Sequence, residues 1–195
     1  NQLLFAADWL LNSGEEVPDS FELKTKEIAG GFPAQIFADG PTERRGATPQ
    51  LFATLLTLAR TEVVISTPYF VPNPTVLDAI CAAAIRGIDV TMIFPKRNDS
   101  WVVAAASHSY YRQLLVHGVK IFEFRNGLLH SKTFTIDGVL SLIGSTNLDL
   151  RSFDLNYEND ILLRDDAMTQ AIYDRQQEYI AQSDPVTLDD VHAWS

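Results

Sequence analysis

Apolar and polar residues change rhythm several times along this chain, and each change marks an element. From Gln2 to Asn12 the apolar positions Leu3, Leu4, Ala7, Leu10 and Leu11 recur near the 3.6-residue period of a helix with one buried face. Ser13-Gly14 stops that helix, and the polar stretch Glu15 to Gly31, rich in breakers, reads as a connector. "AQIFADGP" is a short strand closed by a turn, and "TERRG" is loop. Pro49 to Arg60 returns to helical spacing through Leu51, Leu55 and Leu58. "EVVIST" is an apolar strand, broken by Pro68-Tyr69-Phe70-Val71-Pro72. Pro74 to Arg86 is a helix stopped by Gly87, and "IDVTMIF" is a strand ended by Pro95. Ser100 to His117 is a long helix stopped by Gly118, and "VKIFEF" is the next strand. Strands apolar throughout, alternating with helices of this length, predict an α/β fold with a mixed, parallel-rich β-sheet flanked by helices on both faces.

After Phe124 the alternation stops. "HSKTFTI", the turn pair Asp137-Gly138 and "VLSLIG" predict a β-hairpin. "ENDILLR" adds a strand and Ala167 to Gln182 a last amphipathic helix, while the tail beyond Ser183 is expected to be peripheral. The segments that follow are 1–33 (helix and connector), 34–183 (the α/β domain) and 184–195 (tail).

Composition narrows the classes. The 195 residues, 46% of them hydrophobic, suffice for one domain with a real core. Lys and Arg number 15 against 25 Asp and Glu, a net charge of -10. That balance argues against broad nucleic-acid binding, which needs many cations, and against unaided adsorption to an anionic membrane. No apolar run approaches the roughly 18 residues of a membrane span. The one cysteine, Cys81, permits no intrachain disulfide, and within "LDAICAAAIRG" it reads as a small helix-core residue.

The hairpin carries the candidate chemistry. Residues two apart in a strand share a side, so His130 and Lys132 project together while Ser131 and Thr133 face the other way. Histidine can act as nucleophile or acid/base near neutral pH, and a lysine beside it can hold an oxyanion. The turn folds the second strand back and brings Ser145 and Asn147, in "GSTN", near His130. Gly144 before them permits a close approach of backbone to ligand. Ammonium, hydroxyl and carboxamide are all donors, and together they suit a phosphate better than a carbonyl. Taken singly, His130 suits a hydrogen-bonded strand, Asp137 a turn, and Ser145 and Asn147 turns or caps. The joint spacing on one face is what points to a site. With no Cys/His metal spacing and no glycine-rich phosphate loop, neither metal nor cofactor is expected. His108, His117 and His192 lack such neighbours and read as surface or helix residues, and Asp149 and Arg151 as a structural pair.

"HSKTFTID" followed by "GSTN" fills every position of H-x-K-x4-D-x6-G-S-x-N, and so resembles the motif of the phospholipase D superfamily. "STPYFVP", "RGIDVTMIFPKRNDS", "YYRQLLVHGVKIFEF", "GLLHSK" and "STNLDLRSFDLNYEND" resemble the C-terminal half of bacterial cardiolipin synthases, from about Ala34 to Gln182. "FAADWLLNSGE" is similar to the segment after the first motif of those enzymes. The resemblance implies phosphodiester exchange through a phosphohistidine, converting phosphatidylglycerol to cardiolipin plus glycerol. It implies His130 as one of a histidine pair, Lys132 and Asn147 as phosphate ligands, and Ser145 as a phosphate-side donor. Glu158, in "NYEND", would hold the histidine through its other ring nitrogen, and Asp137 stays structural. The family has two such motifs per site, whereas here His108, His117 and His192 are not followed by a lysine at the motif spacing. The implied partners are an anionic phospholipid, a membrane reached through N-terminal segments outside this chain, and a second H-x-K half from that region or from a homodimer partner. Nucleic acid is not among them. The implied location is a bacterial inner membrane for the parent protein, with this segment itself soluble. A hydrolytic phosphodiesterase (phospholipase D or a homodimeric nuclease) and an inactive anion-binding half-domain are the alternatives.

Overall fold

Strands that are apolar on both sides need cover on both faces, and the fold supplies it. The structure, a computed structural model, describes residues 2–15, 29–40 and 46–193. Most of the predicted connector (16–28) and, with Pro41, most of the "TERRG" loop (42–45) lies outside them. The elements are α1 (Gln2–Ser13), β1 (Ala34–Asp39), α2 (Ala47–Leu58), β2 (Glu62–Ser66), β3 (Phe70–Val71) and α3 (Pro74–Ile85). Then come β4 (Asp89–Pro95), α4 (Trp101–Val116), β5 (Lys120–Phe124), β6 (Thr133–Ile136), β7 (Leu140–Gly144) and β8 (Leu148–Asp149). The chain continues with α5 (Leu150–Asp154), β9 (Glu158–Arg164), α6 (Asp166–Ala181), β10 (Ser183–Val186) and α7 (Leu188–Ala193).

Helix starts are set by short polar side chains that satisfy otherwise unpaired amides. Asn73 accepts from the Thr75 amide with Pro74 in the first turn of α3, Ser100 caps α4, and Asp165 accepts from the Met168 amide at α6. In the main sheet the strands run β1-β9-β7-β6-β2-β4-β5-β10. The centre, β2-β4-β5, is parallel, and the other pairings of this sheet are antiparallel, while β3 and β8 form a separate parallel pair. The parallel part is therefore confined to three central strands of a mixed sheet.

Alternation along those strands divides the core. Val63 and Ile65 of β2, and Val90, Met92 and Phe94 of β4, pack with Phe52, Leu56, Ile80 and Leu114 from α2, α3 and α4. Val64 and Ile93 face the other way, toward Tyr173, Tyr179 and Ile180 of α6. Cys81 is buried in the first of these clusters, and burial raises its thiol pKa, as suits a packing residue. The tail is more than an appendage. Ser183–Val186 pairs antiparallel with β5 as an edge strand, and Val186 is buried.

One consequence decides where chemistry can sit. The carboxyl ends of β2, β4 and β5 lie at the same end of the sheet as the start of β6, the end of β7 and the start of β9, because Ser66 faces Thr133 and Gly144 faces Asp160. That end is where open α/β sheets place their ligands.

Candidate active site

Ladder pairing begins only at Thr133, so His130, Ser131 and Lys132 form an irregular approach to β6. The predicted alternation of sides nevertheless persists. Lys132 Nζ lies 3.2 Å from His130 Nδ1, 3.4 Å from Nε2 and 3.2 Å from the His130 carbonyl oxygen. Ser131 and Thr133 instead border a cavity on the α6 side together with Gln176. The imidazole is exposed and the lysine half-buried. Burial lowers the Lys132 pKa below the ordinary lysine value, and the charges of Glu158 and Asp149 oppose that shift without cancelling it.

The hairpin turns as its sequence predicts. Val139 N donates to the Ile136 carbonyl, and the two central residues, Asp137 and Gly138, have φ of 52° and 69°, the signs a type I′ turn requires. The Asp137 carboxylate does more than turn the chain. It accepts from the amides of Arg60, Thr61 and Glu62 and from the Thr61 hydroxyl, which ties the hairpin tip to the start of β2. Burial pushes its pKa up, but these donors together outweigh that and hold it below the usual carboxylate range.

Beyond β7 the chain turns through Ser145 to Asn147. Ser145 N donates to the Asn159 carbonyl, and Ser145 Oγ accepts from Asn159 N, which leaves the hydroxyl proton free to donate outward. Asn147 Nδ2 is directed to Ser152 Oγ at 3.0 Å, while its Oδ1 is buried without a partner among the described residues. A carboxamide turned over about its last bond lets the Ser152 hydroxyl donate to Oδ1 and presents Nδ2 as a free donor at the same place. Gly144 has a different reason from the one its sequence suggests. A Cβ there would lie 2.0 Å from Asp160 Oδ1 and 2.4 Å from the Asn159 carbonyl oxygen, so glycine admits strand β9 rather than a ligand. Thr146 points inward, and its hydroxyl and amide both donate to Asp160, at 2.6 and 3.4 Å.

Glu158 is buried at the start of β9, and its Oε1 accepts from Asn156 Nδ2 at 3.0 Å. Among the described residues no hydrogen bond joins Glu158 to His130; its charge acts on Lys132. The ring that does meet His130 is Tyr69, edge-to-face with centroids 6.1 Å apart. Its hydroxyl lies 2.9 Å from both Asp99 oxygens, and burial with that carboxylate pushes the phenol up to about 12. Sequence reasoning missed Tyr69, Asp99, Thr146 and Asp160. Tyr69 and Asp99 had a signal, since each sits in a loop leaving the carboxyl end of a parallel strand. Asp149 and Arg151 do not pair among the described residues; Asp149 instead caps α5 through the Ser152 amide. His108 does have a neighbour, the buried Glu123, at 3.1 Å, and the His117 ring bonds the Gln113 carbonyl.

The family model described as cardiolipin synthase, phospholipase D-like domain, matches residues 52–180. Cardiolipin synthase A of Proteus mirabilis is 39% identical over 191 residues, covering 96% of this chain and 39% of that protein. Cardiolipin synthase A of Yersinia pseudotuberculosis is 40% identical over 184 residues, covering 93% and 38%. The chain thus spans about two fifths of the length of these relatives. Among solved structures, the phospholipase D family member Nuc from Salmonella typhimurium superposes with a TM-score of 0.69 at 20% identity, covering 80% of this chain and 98% of that one. Phosphatidylserine synthase from Haemophilus influenzae gives 0.63 at 19% identity, covering 78% and 39%. Both share the fold. The matched span runs from α2 to α6 and contains the hairpin with its histidine, lysine and turn: the chain belongs to the cardiolipin synthase family, through its phospholipase D-like domain.

Proposed function

We propose that this chain carries one half of the active site of a phosphatidyltransferase that makes cardiolipin from two molecules of phosphatidylglycerol. The observation that carries this reading is the Lys132 ammonium resting against the His130 ring at the carboxyl end of the parallel strands. A phosphate diester at that place meets a cation and a ring nitrogen within one hydrogen-bond length. The relatives named cardiolipin synthase A, at about 40% identity over nearly the whole chain, support the substrate class.

The reaction proceeds in two displacements. One histidine nitrogen attacks phosphorus, the bond from phosphorus to the glycerol oxygen breaks, and a second histidine gives that oxygen its proton. A hydroxyl of a second phosphatidylglycerol then gives its proton to the second histidine and attacks the phosphohistidine, which releases the first. His130 takes one of these roles, and its counterpart comes from outside these 195 residues, either elsewhere in the longer protein or on a second copy. Lys132 turns from the imidazole to the non-bridging oxygens, and Ser145 and Asn147 add donors. Glu158 helps keep Lys132 charged. Asp137 holds the hairpin to β2 and touches no substrate. The substrate is an anionic phospholipid, and the parent protein works at a bacterial inner membrane. Among the described residues no helix is long and apolar enough to cross one.

The test supplies labelled phosphatidylglycerol to the full-length protein. Cardiolipin and free glycerol in equal amounts are the expected products, and His130→Ala abolishes both. Phosphatidic acid as the sole lipid product would assign a hydrolase instead. Unchanged turnover in His130→Ala removes His130 from the reaction. Trapping 32P on histidine, followed by peptide mapping, identifies whether His130 is the nucleophile.

A further inference from the structure

Lys132 also borders a small cavity that the phosphate chemistry above does not use. Apolar side chains such as Phe52, Phe134 and Leu142 line it together with Ser66, Thr67, Lys132, Thr133, Thr146 and Asp160. It gives about 10 Å³ to the centre of a water-sized sphere, room for one water. Ser66 Oγ is the reason to ask what belongs there. The residue is 1% exposed, and its hydroxyl has no hydrogen-bond partner among the described residues. Buried hydroxyls are normally bonded, and an unsatisfied one calls for an explanation. Ser66 ends β2, opposite Thr133, so its backbone is already fixed by the sheet.

We propose that this cavity binds one internal water, held by Ser66 Oγ and the Thr146–Asp160 pair, and that this water joins the end of β2 to the turn carrying Ser145 and Asn147. The donor count agrees. A water accepts a hydrogen bond from the Ser66 hydroxyl and donates one to an Asp160 oxygen, which has lone pairs beyond those taken by Thr146. Burial and the nearby Glu158 and Asp39 raise the Asp160 pKa against the two bonds from Thr146, and a hydrogen bond donated by the water acts in the same sense as those bonds. Lys132 and the phosphate-facing turn thus share one buried support, and the phosphate donors keep their spacing when the site has no substrate. The site does not depend on the reaction proposed above, and its tests read stability, exchange and electron density rather than turnover.

Ser66→Ala separates the two possibilities by sign. An unbonded buried hydroxyl costs stability, so removing it leaves the thermal midpoint unchanged or raises it. A hydroxyl that holds a water contributes, so removing it lowers the midpoint by about 2–4 °C. The second outcome is expected, together with about fivefold faster hydrogen exchange at the Thr146 amide and unchanged exchange in β4. A high-resolution crystal structure of the chain should show an ordered water within about 3.2 Å of Ser66 Oγ. An unchanged or raised midpoint overturns the proposal, as does well-ordered density around Ser66 with no water there.

Discussion

Lys132 lies against a titratable ring while burial draws its own proton affinity down, so at this residue charge and geometry are coupled. Its pKa lies below the ordinary lysine value of 10.5, and the ammonium is therefore lost earlier than usual as pH rises. The alkaline limb of kcat/KM for the full-length protein is expected to break below pH 10.5, measured on phosphatidylglycerol in mixed micelles. Lys132→Met keeps the length and loses the charge; a fall in kcat/KM of about 10²–10³ is expected, the usual cost of one oxyanion donor. Gly144 makes a different claim at the same scale. In Gly144→Ala the new methyl collides with the Asn159 carbonyl and the Asp160 backbone as well as with the Asp160 side chain. Overpacking against backbone should lower stability by about 1–3 kcal/mol, read by urea unfolding. Because two of the colliding atoms are main-chain, adding Asp160→Ala should not restore it, and a full rescue would place the strain in the carboxylate alone.

At the scale of elements, the hairpin is held from its tip. Asp137 gathers three amides and one hydroxyl from residues more than 70 positions earlier, so its removal takes four hydrogen bonds from the join between the hairpin tip and the start of β2. Asp137→Ala is expected to cost about 1–3 kcal/mol. Its pH dependence has a definite sign. A carboxyl depressed in the folded state contributes fully above its unfolded value, near 3.8, and loses that contribution as pH falls through the lower folded value. The variant should therefore differ from the parent at neutral pH and converge on it below pH 3.8, by thermal melts across the acid range. The hairpin, its turn and the side-sharing of His130 with Lys132 were legible in the sequence because they rest on a two-residue period and an Asp-Gly signal, both local. The targets of Asp137 were not, because no local pattern says which strand lies beside a turn. Gln176 was equally hidden. It looks like an outer-face helix residue, yet it is fully buried, donating to the Val64 carbonyl and accepting from the Thr135 hydroxyl. β10 escaped because Pro185 reads as loop, although an edge strand tolerates proline.

For the whole molecule, the helices and buried strands followed from periodicity, while the strand order did not. β1 and β9 pair across more than a hundred residues, and only the assembled sheet brings Asp39, Glu158 and Asp160 to one end with Lys132. That gathering of carboxylates is local to a molecule whose net charge is already -10. Two electrostatic effects then oppose each other in salt. Screening weakens attractive pairs such as Lys96–Asp184, Lys120–Asp89 and Arg175–Glu178, all of them substantially exposed. Exposed pairs contribute only about 0–1 kcal/mol each, so little is lost. Screening also weakens the repulsion among the surplus carboxylates, which acts over the whole surface and favours the expanded chain. Between about 10 mM and 150 mM salt the screening length falls from roughly 30 to 8 Å, short enough to quench the long-range repulsion. The thermal midpoint at pH 7.5 is therefore expected to rise with salt over that range. The rise should vanish at the acidic pH where protonated carboxyl groups bring the net charge to zero. A midpoint that falls with salt at pH 7.5 would show that the ion pairs outweigh the repulsion.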